Sequence, residues 1–251
     1  MDILLLPLSD GNQIPMEVGD TNFEQRLGFY HLDCAEMYGT EEEVGRAIQE
    51  SGIPREKLFI TNKVAQDIDD IHEALQENLR KLQTDYFDLY LIHIPFFAES
   101  DADFQRAWKS MEEIKRAGKA KSIGVSNYLL PHAEATLADN YLSWLRENGL
   151  QVGSFKGLTP AFRAPDGPLR EPLSRIAKTY DTTEAAVLIN WIIQNKVVAV
   201  TTTTKPERLD EYAQALKIKL TQDELQEITD VGSTYHFRTS WSEHFEADDR
   251  S

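Results

Sequence analysis

The chain has one cysteine, Cys34, in 251 residues. No internal disulfide framework and no multi-cysteine metal site can be built from it. Basic residues are also scarce: 26 Lys and Arg stand against 42 Asp and Glu, a formal net charge of −16. That field argues against general binding to nucleic acid or to an anionic membrane, because both need basic surface. An anionic ligand then requires a local cluster of Lys and Arg. The longest apolar run, residues 89–98, is interrupted by His93 and Pro95 and is far too short to span a bilayer. Residues 1–7 lack the basic flank and small-residue cleavage site of a signal peptide, so a cytoplasmic protein is expected. Neither Gly-x-Gly-x-x-Gly nor Gly-x4-Gly-Lys-Ser/Thr occurs, which weighs against a Rossmann or P-loop nucleotide site. What the chain does have is core material, with 41% hydrophobic and 10% aromatic residues, enough to exclude disorder as its main state.

Hydrophobic periodicity sets the order of elements. Residues 4–15 read as a hairpin turned by Asp10-Gly11. Strands are then expected at 29–33, 57–63, 87–93, 122–127, 150–155 and 197–201. Helices are expected at 41–51, 68–82, 103–117, 131–148, 169–180, 183–195 and 206–216. An additional helix at 221–231 opens with the capping pair Thr221 and Glu224. Alternating β and α with β-branched strands means a parallel sheet in an α/β protein. No linker, repeat or low-complexity stretch breaks the pattern, so residues 1–251 are read as one domain, a (β/α)8 TIM barrel with an N-terminal hairpin and a C-terminal helix and tail.

In such a barrel the chemistry sits at the carboxyl ends of the strands. Asp33 and Tyr38 follow one strand, Lys63 ends the next, and His93 ends the third. Singly, each has an ordinary structural explanation: a turn cap, a turn aromatic, a solvated lysine, a core histidine. Together they make an acid–base unit. A tyrosine titrates near pH 10 and needs help to give up its proton at neutral pH. An ammonium such as Lys63 supplies that help, and a carboxylate such as Asp33 fixes the lysine. His93 can hold a carbonyl oxygen by hydrogen bonding, so the set suits protonation of an oxygen on which negative charge develops. Residues 200–208 run from a strand into a helix start, and Thr202, Thr203, Thr204, Lys205 and Arg208 there can converge on a phosphate. The ordinary alternative is a threonine-rich strand leading into a helix with Pro at its first position.

The blocks His31-Leu32-Asp33-Cys34-Ala35-Glu36-Met37-Tyr38-Gly39, Phe59-Ile60-Thr61-Asn62-Lys63, Asp88-Leu89-Tyr90-Leu91-Ile92-His93 and Ile123-Gly124-Val125-Ser126-Asn127 resemble the aldo-keto reductases over nearly the whole chain. Residues 94–97, Gly157-Leu158-Thr159-Pro160 and residues 235–238 are most similar to the fungal branch that reduces carbonyls and conjugated polyketones. The resemblance implies an oxidoreductase that binds NADPH, rather than NADH, without a Rossmann fold. It makes Tyr38 the proton donor, with Lys63 and Asp33 lowering its pKa and His93 orienting the substrate carbonyl. Ser126 and Asn127 would hold the nicotinamide carboxamide, and Phe155 would stack on the ring where the family usually has tyrosine. Gly157, Leu158 and Thr159 complete that side of the cofactor site, and Thr203, Lys205 and Arg208 would grip the adenosine 2′-phosphate. Ile94, Phe96 and Trp241 are expected to line the substrate pocket, with Tyr235 and Phe237 as further tail candidates. The partner is a small-molecule carbonyl compound, and the working form a monomer or homodimer.

Several residues depart from the family pattern. Thr202-Thr203 stands where many members have Lys-Ser, Tyr212 replaces an asparagine near the adenine, and Ile94 replaces a tryptophan. Between Gly19 and Gly28 there is no room for the usual first loop and barrel helix, and around residues 139–141 the sixth strand and its carboxamide-binding glutamine are missing. Seven barrel strands at most are expected, counting a stub at 16–19. A closed barrel does not tolerate loss of an interior strand. Either the barrel is shortened, or the sequence joins segments and omits others, and the second is favoured because the missing pieces would flank the cofactor mouth. His31, His72 and His132 have no metal-ligand spacing, so no metal site is expected. Trp108, Trp144 and Trp191 fall on helical patterns and read as packing residues. Two other functions compete: a Schiff-base lyase using Lys63, and an NADP-binding regulator without turnover.

Overall fold

The structure, a computed structural model, describes residues 5–8, 12–15, 17–18, 30–128, 145–164, 166–203 and 205–245. The chain divides into two compact units, residues 1–152 and 153–251.

The first unit opens with the expected hairpin. Strands β1 (Leu5–Pro7) and β2 (Gln13–Pro15) pair antiparallel with Leu6 opposite Ile14, and the Asp10-Gly11 turn lies outside the described residues. A two-residue strand β3 (Glu17–Val18) follows. Then β4 (His31–Asp33), β5 (Phe59–Val64), β6 (Phe87–Ile92) and β7 (Ala120–Val125) form a parallel sheet in chain order. Parallel neighbours need crossovers, supplied by α1 (Glu41–Ser51), α2 (Ile71–Leu82) and α3 (Asp101–Arg116). Apolar residues three and four apart turn one face of each helix to the sheet. Leu75 and Leu79 from α2 and Met111 and Ile114 from α3 bury against Leu32, Ile60, Phe87, Tyr90 and Ile92. Each such aliphatic side chain contributes roughly 1.5–3 kcal/mol on leaving water. Tyr90 is fully buried, and its hydroxyl accepts from Asn78 Nδ2 at 3.1 Å. Helix α1 lies so close to the end of α2 that a Cβ on Gly45 would stand 2.4 Å from the Lys81 carbonyl oxygen.

At the amino end of this sheet Asp88 is buried and fully engaged. Its carboxylate accepts from Ile60 N at 2.9 Å and meets Arg55 Nη2 at 2.8 Å and Lys121 Nζ at 2.9 Å. Both cations also lie over the Tyr86 ring, 4.0 and 4.4 Å from its centroid. Asn12 of the hairpin reaches the same end, donating to Lys121 O at 3.1 Å and Ser122 Oγ at 3.0 Å.

In the second unit β8 (Gly153–Ser154) pairs parallel with β9 (Val198–Val200). Helices α4 (Thr159–Phe162), α5 (Arg170–Thr179), α6 (Glu184–Gln194), α7 (Pro206–Gln214) and α8 (Gln222–Ser233) complete it. Leu173, Ile176, Val187, Leu188, Leu220 and Ile228 form its core. The capping box expected at Thr221 and Glu224 is present in both directions.

The α/β class and the element order are as expected, and among the described residues seven strands follow the hairpin. Strand β8 is shorter than the expected 150–155, because Gly149 (φ 73°) and Lys156 (φ 56°) turn the chain on either side. Strand β7 ends at Val125 rather than 127, since Asn127 takes φ 61°. Trp191 packs as expected, its Nε1 donating to Leu225 O at 3.2 Å, whereas Trp108 is 38% exposed. Residues 19–29 and 129–144, with Trp144 and most of the expected helix 131–148, lie outside the described residues.

Candidate active site

The site begins where β4 ends. Cys34 N donates to Thr61 O at 2.8 Å, prolonging the ladder by one residue. Residues 36–38 then make a 3-10 turn capped by Gly39 at φ 66°, a left-handed position that glycine takes without a Cβ penalty. The turn sets Tyr38 at the carboxyl end of the sheet, 40% exposed. Along β5 successive side chains point to opposite faces: Asn62 meets Glu41 of α1 at 2.7 Å, and Lys63 points the other way, toward Asp33 and Tyr38.

Lys63 is almost fully buried and uses all three of its donors. Nζ donates to Asp33 Oδ2 at 2.6 Å, to Cys34 O at 2.9 Å and to Tyr38 Oη at 3.3 Å. An ammonium has no further hydrogen to give. Burial pulls its pKa down, but the Asp33 carboxylate and then Tyr38 outweigh that, and the net shift is upward. The lysine is therefore a fixed positive charge against the tyrosine hydroxyl.

His93 follows β6, its N–H donating to Val64 O at 2.9 Å. Its ring meets the Tyr38 ring edge-on, centroids 5.7 Å apart. Burial, and then the Lys63 charge, lower its pKa to about 4, so the imidazole is neutral at neutral pH. Nδ1 is buried without a hydrogen-bond partner among the described residues. Asn127 Nδ2 donates to His93 O at 2.8 Å and to Ser126 Oγ at 3.0 Å, so the exit of β7 braces the exit of β6. Ile94 and Phe96 lie half-buried in the loop after His93. All of Asp33, Tyr38, Lys63, His93, Ser126 and Asn127 thus gather at one end of one sheet.

The remaining expected residues belong to the second unit. Phe155 is half exposed, and its ring centroid lies 5.9 Å from that of Trp241 in the tail. The residue after Phe155, Lys156, contacts Ser240 Oγ through its Nζ. Gly157 packs on Ile192, Leu158 joins the unit's core and Thr159 opens α4. Tyr235 and Phe237 are exposed and stacked on each other. Thr203 Oγ1 accepts from Lys205 N at 3.1 Å at the start of α7, Thr202 and Lys205 are exposed, and Arg208 lies 4.5 Å over the Phe162 ring. Thr204 lies outside the described residues. Tyr212 is buried, 1% exposed, so it offers no open surface to a nucleotide base. Hydroxyls, an ammonium and a guanidinium at the amino end of a nine-residue helix are the donor set a phosphate takes. Phe155 is half exposed, with Lys156 Nζ 4.8 Å from its ring centroid, and an aromatic side chain of this kind can stack on another ring. These residues fit a phosphorylated nicotinamide cofactor.

Sequence reasoning missed Glu36, Glu41 and Asn62, all buried around Tyr38 and Lys63. The available signal was an acidic residue on either side of a turn tyrosine, Glu36 before it and Glu41 after it.

Comparison with known proteins gives the family. The model of the Aldo/keto reductase family matches residues 23–146 and 164–233, and the chain belongs to that family of oxidoreductases. A NAD/NADP-dependent indole-3-acetaldehyde reductase of Schizosaccharomyces pombe is 36% identical over 234 residues, 84% of this chain and 82% of that protein. A NADPH-dependent alpha-keto amide reductase of Saccharomyces cerevisiae is 31% identical over 246 residues, 86% of this chain and 79% of that one. Both are fungal, in keeping with the fungal branch. Among solved structures, an aldo-keto reductase from a Medee basin deep-sea metagenome library superposes with a TM-score of 0.84 at 26% identity, covering 94% of this chain and 97% of its own. An aldo/keto reductase from Brucella melitensis gives 0.80 at 26% identity, covering 92% and 100%. The fold class is that of these reductases, the (β/α)8 barrel.

Proposed function

We propose that the chain reduces ketones or aldehydes to alcohols with NADPH, and that Tyr38 is the proton donor. The observation that carries this is the lysine: a buried ammonium held by Asp33 and the Cys34 carbonyl, with its third hydrogen bond on Tyr38 Oη at 3.3 Å. Reduced nicotinamide, when bound, supplies a hydride to the carbonyl carbon. As negative charge grows on the substrate oxygen, Tyr38 gives it the hydroxyl proton. The phenolate left behind faces Lys63, whose charge favours that form. His93 is neutral and donates a hydrogen bond to the same oxygen, with Nε2–H as the donor tautomer. Asn127 keeps His93 in place from its backbone side.

Ser126 and Asn127 are assigned to the carboxamide, and Phe155, Gly157, Leu158 and Thr159 to the nicotinamide half of the cofactor. Thr202, Thr203, Thr204, Lys205 and Arg208 are assigned to the 2′-phosphate, which favours NADPH over NADH. Ile94, Phe96 and Trp241 are assigned to the substrate. The relatives' names, an aldehyde reductase and a keto amide reductase, fall within the carbonyl class. Lys63 has no hydrogen left to lose cheaply and its ammonium form is favoured, which weighs against a Schiff-base nucleophile. We read the working protein as a cytoplasmic monomer or homodimer. Among the described residues no helix is long and apolar enough to cross a membrane.

The test is Tyr38→Phe. Turnover of NADPH with an aromatic aldehyde should fall about 10³-fold, within the range general acids supply, while NADPH binding followed by fluorescence is kept. Undiminished turnover would remove the assignment.

A further inference from the structure

Tyr38 is 40% exposed, and its ring contacts with His93 and Lys63 hold it from one side. The turn that bears it contributes the rest, and two acidic side chains that proton transfer does not use fasten the turn and the helix start behind it. Glu36, two residues before Tyr38, is 8% exposed, and its Oε2 accepts from Ala65 N at 2.8 Å and Gln66 N at 2.7 Å. Glu41, three residues after it, is 2% exposed, and its Oε1 accepts from Asn62 Nδ2 at 2.7 Å. The anchor points, residue 62 on one side and residues 65 and 66 on the other, bracket Lys63 along β5 and its exit. Hydrogen bonds to an ionised acceptor are short and strong, and two on one oxygen allow little play. Of the three Lys63 bonds, the one to Tyr38 is the longest at 3.3 Å, and a slack turn loses it first.

We propose that Glu36, with Glu41 as the second anchor, is a positioning residue that holds Tyr38 within reach of the Lys63 ammonium. This rests on the reading of Tyr38 as proton donor. The charged and titratable groups that face Tyr38 are Lys63 on β5, Asp33 at the end of β4 through that lysine, and His93 after β6, while the Glu36 carboxylate on the turn itself is turned to Ala65 N and Gln66 N. If the turn loosens, the ammonium moves away and a phenolate at Tyr38 loses the charge that favours it.

The experiment compares Glu36→Leu, Glu36→Gln and Tyr38→Phe, with 4-nitrobenzaldehyde and NADPH, across the neutral and alkaline range. Glu36→Leu fills the space but accepts nothing. It should lower kcat about tenfold, leave the aldehyde KM and NADPH affinity unchanged, and move the alkaline limb of the kcat/KM profile up by about one pH unit. Glu36→Gln keeps a carbonyl oxygen for Ala65 and Gln66, and should restore most of kcat and the position of the limb. A merely structural role would scale the profile without moving the limb. An unmoved limb in Glu36→Leu, or an equally moved one in Glu36→Gln, overturns the proposal. Should Glu36→Leu not fold, Glu36→Asp withdraws the carboxylate by one methylene and is read the same way. Full turnover in Tyr38→Phe removes the proton-donor reading and this inference with it. Loss of turnover there with an unmoved limb in Glu36→Leu removes the positioning role alone.

Discussion

Two buried aspartates stand at opposite ends of the same four-stranded sheet, and each is paired with lysine. At the amino end Asp88 takes Arg55, Lys121 and Ile60 N, and its cations keep a route to water, with side chains 20% and 47% exposed. At the carboxyl end Asp33 takes Lys63, whose side chain is 7% exposed. The first cluster leaves its charges partly hydrated, so it avoids most of the desolvation cost of a buried pair. The second takes the cation out of water and spends its remaining hydrogen bonds on a main-chain carbonyl and a tyrosine. Every polar atom of the Asp88 carboxylate is engaged, whereas the carboxyl end retains an unpartnered His93 Nδ1 among the described residues and a partly exposed Tyr38. One end keeps its charges hydrated, and the other carries the groups proposed above to act on the substrate, which is the division of labour that parallel barrels expect.

The contrast breaks most visibly in paired substitutions. The double variant D33N/K63M removes the buried pair and leaves no lone charge. Turnover should fall about 10²–10³-fold, while the urea midpoint changes little, since no lone buried charge is left behind. Asp88→Ala should do the reverse. It leaves Arg55, Lys121 and Ile60 N without their acceptor and should cost about 3 kcal/mol, the low end for breaking a buried pair, because both cations can still reach water. The kcat of the folded fraction should be unchanged. A large stability loss in D33N/K63M, or a large kcat loss in Asp88→Ala, would erase the distinction between the two ends.

Acid sharpens the comparison further. His93 in the folded chain titrates near 4, below the 6.5 of an exposed histidine. Between those values the unfolded chain binds the extra proton, so stability is full above pH 6.5 and falls as the pH drops toward 4. The whole gap corresponds to roughly 3 kcal/mol, and most of it should show between pH 6.5 and 4.5. Urea unfolding of His93→Gln should lack this part of the acid dependence. A slope identical to that of the parent chain would place the acid sensitivity elsewhere.

The carboxyl end was more legible in the sequence than the amino end. Asp33, Lys63 and His93 each fall at a strand terminus that hydrophobic periodicity marks, Tyr38 lies in the turn just after the first of them, and once the sheet is parallel the terminus fixes the side of the sheet. The Asp88 cluster left no such trace, because Arg55, Asp88 and Lys121 are spread over three elements and become neighbours only through strand register. Glu36 and Glu41 escaped for another reason. On sequence Glu36 is a single turn acid and Glu41 the first of an acidic run that opens a helix, and only burial separates them from Glu42 and Glu43, which stay exposed. The short β8 was also illegible, since periodicity over 150–155 does not report the left-handed conformations at Gly149 and Lys156 that cut it to two residues.

The smallest expected effect tests how the amino end disperses its charge. Arg55 and Lys121 lie 4.0 and 4.4 Å from the Tyr86 ring centroid, so the ring shares two cations that the Asp88 carboxylate also binds. A cation over an aromatic face at a partly exposed site contributes about 0.5–1 kcal/mol. Tyr86→Leu keeps apolar contact with both side chains and keeps the Arg55 bond to the residue 86 carbonyl, which is main chain. Only the ring's electrostatic share and the weak Lys121 contact with the hydroxyl are lost. The expected cost is about 1 kcal/mol, a fall of roughly 2–4 °C in Tm for a chain of this size, with no change in kcat. A loss as large as that of Asp88→Ala would mean that the ring, rather than the carboxylate, organises the two cations, and that the amino end is held by packing more than by charge.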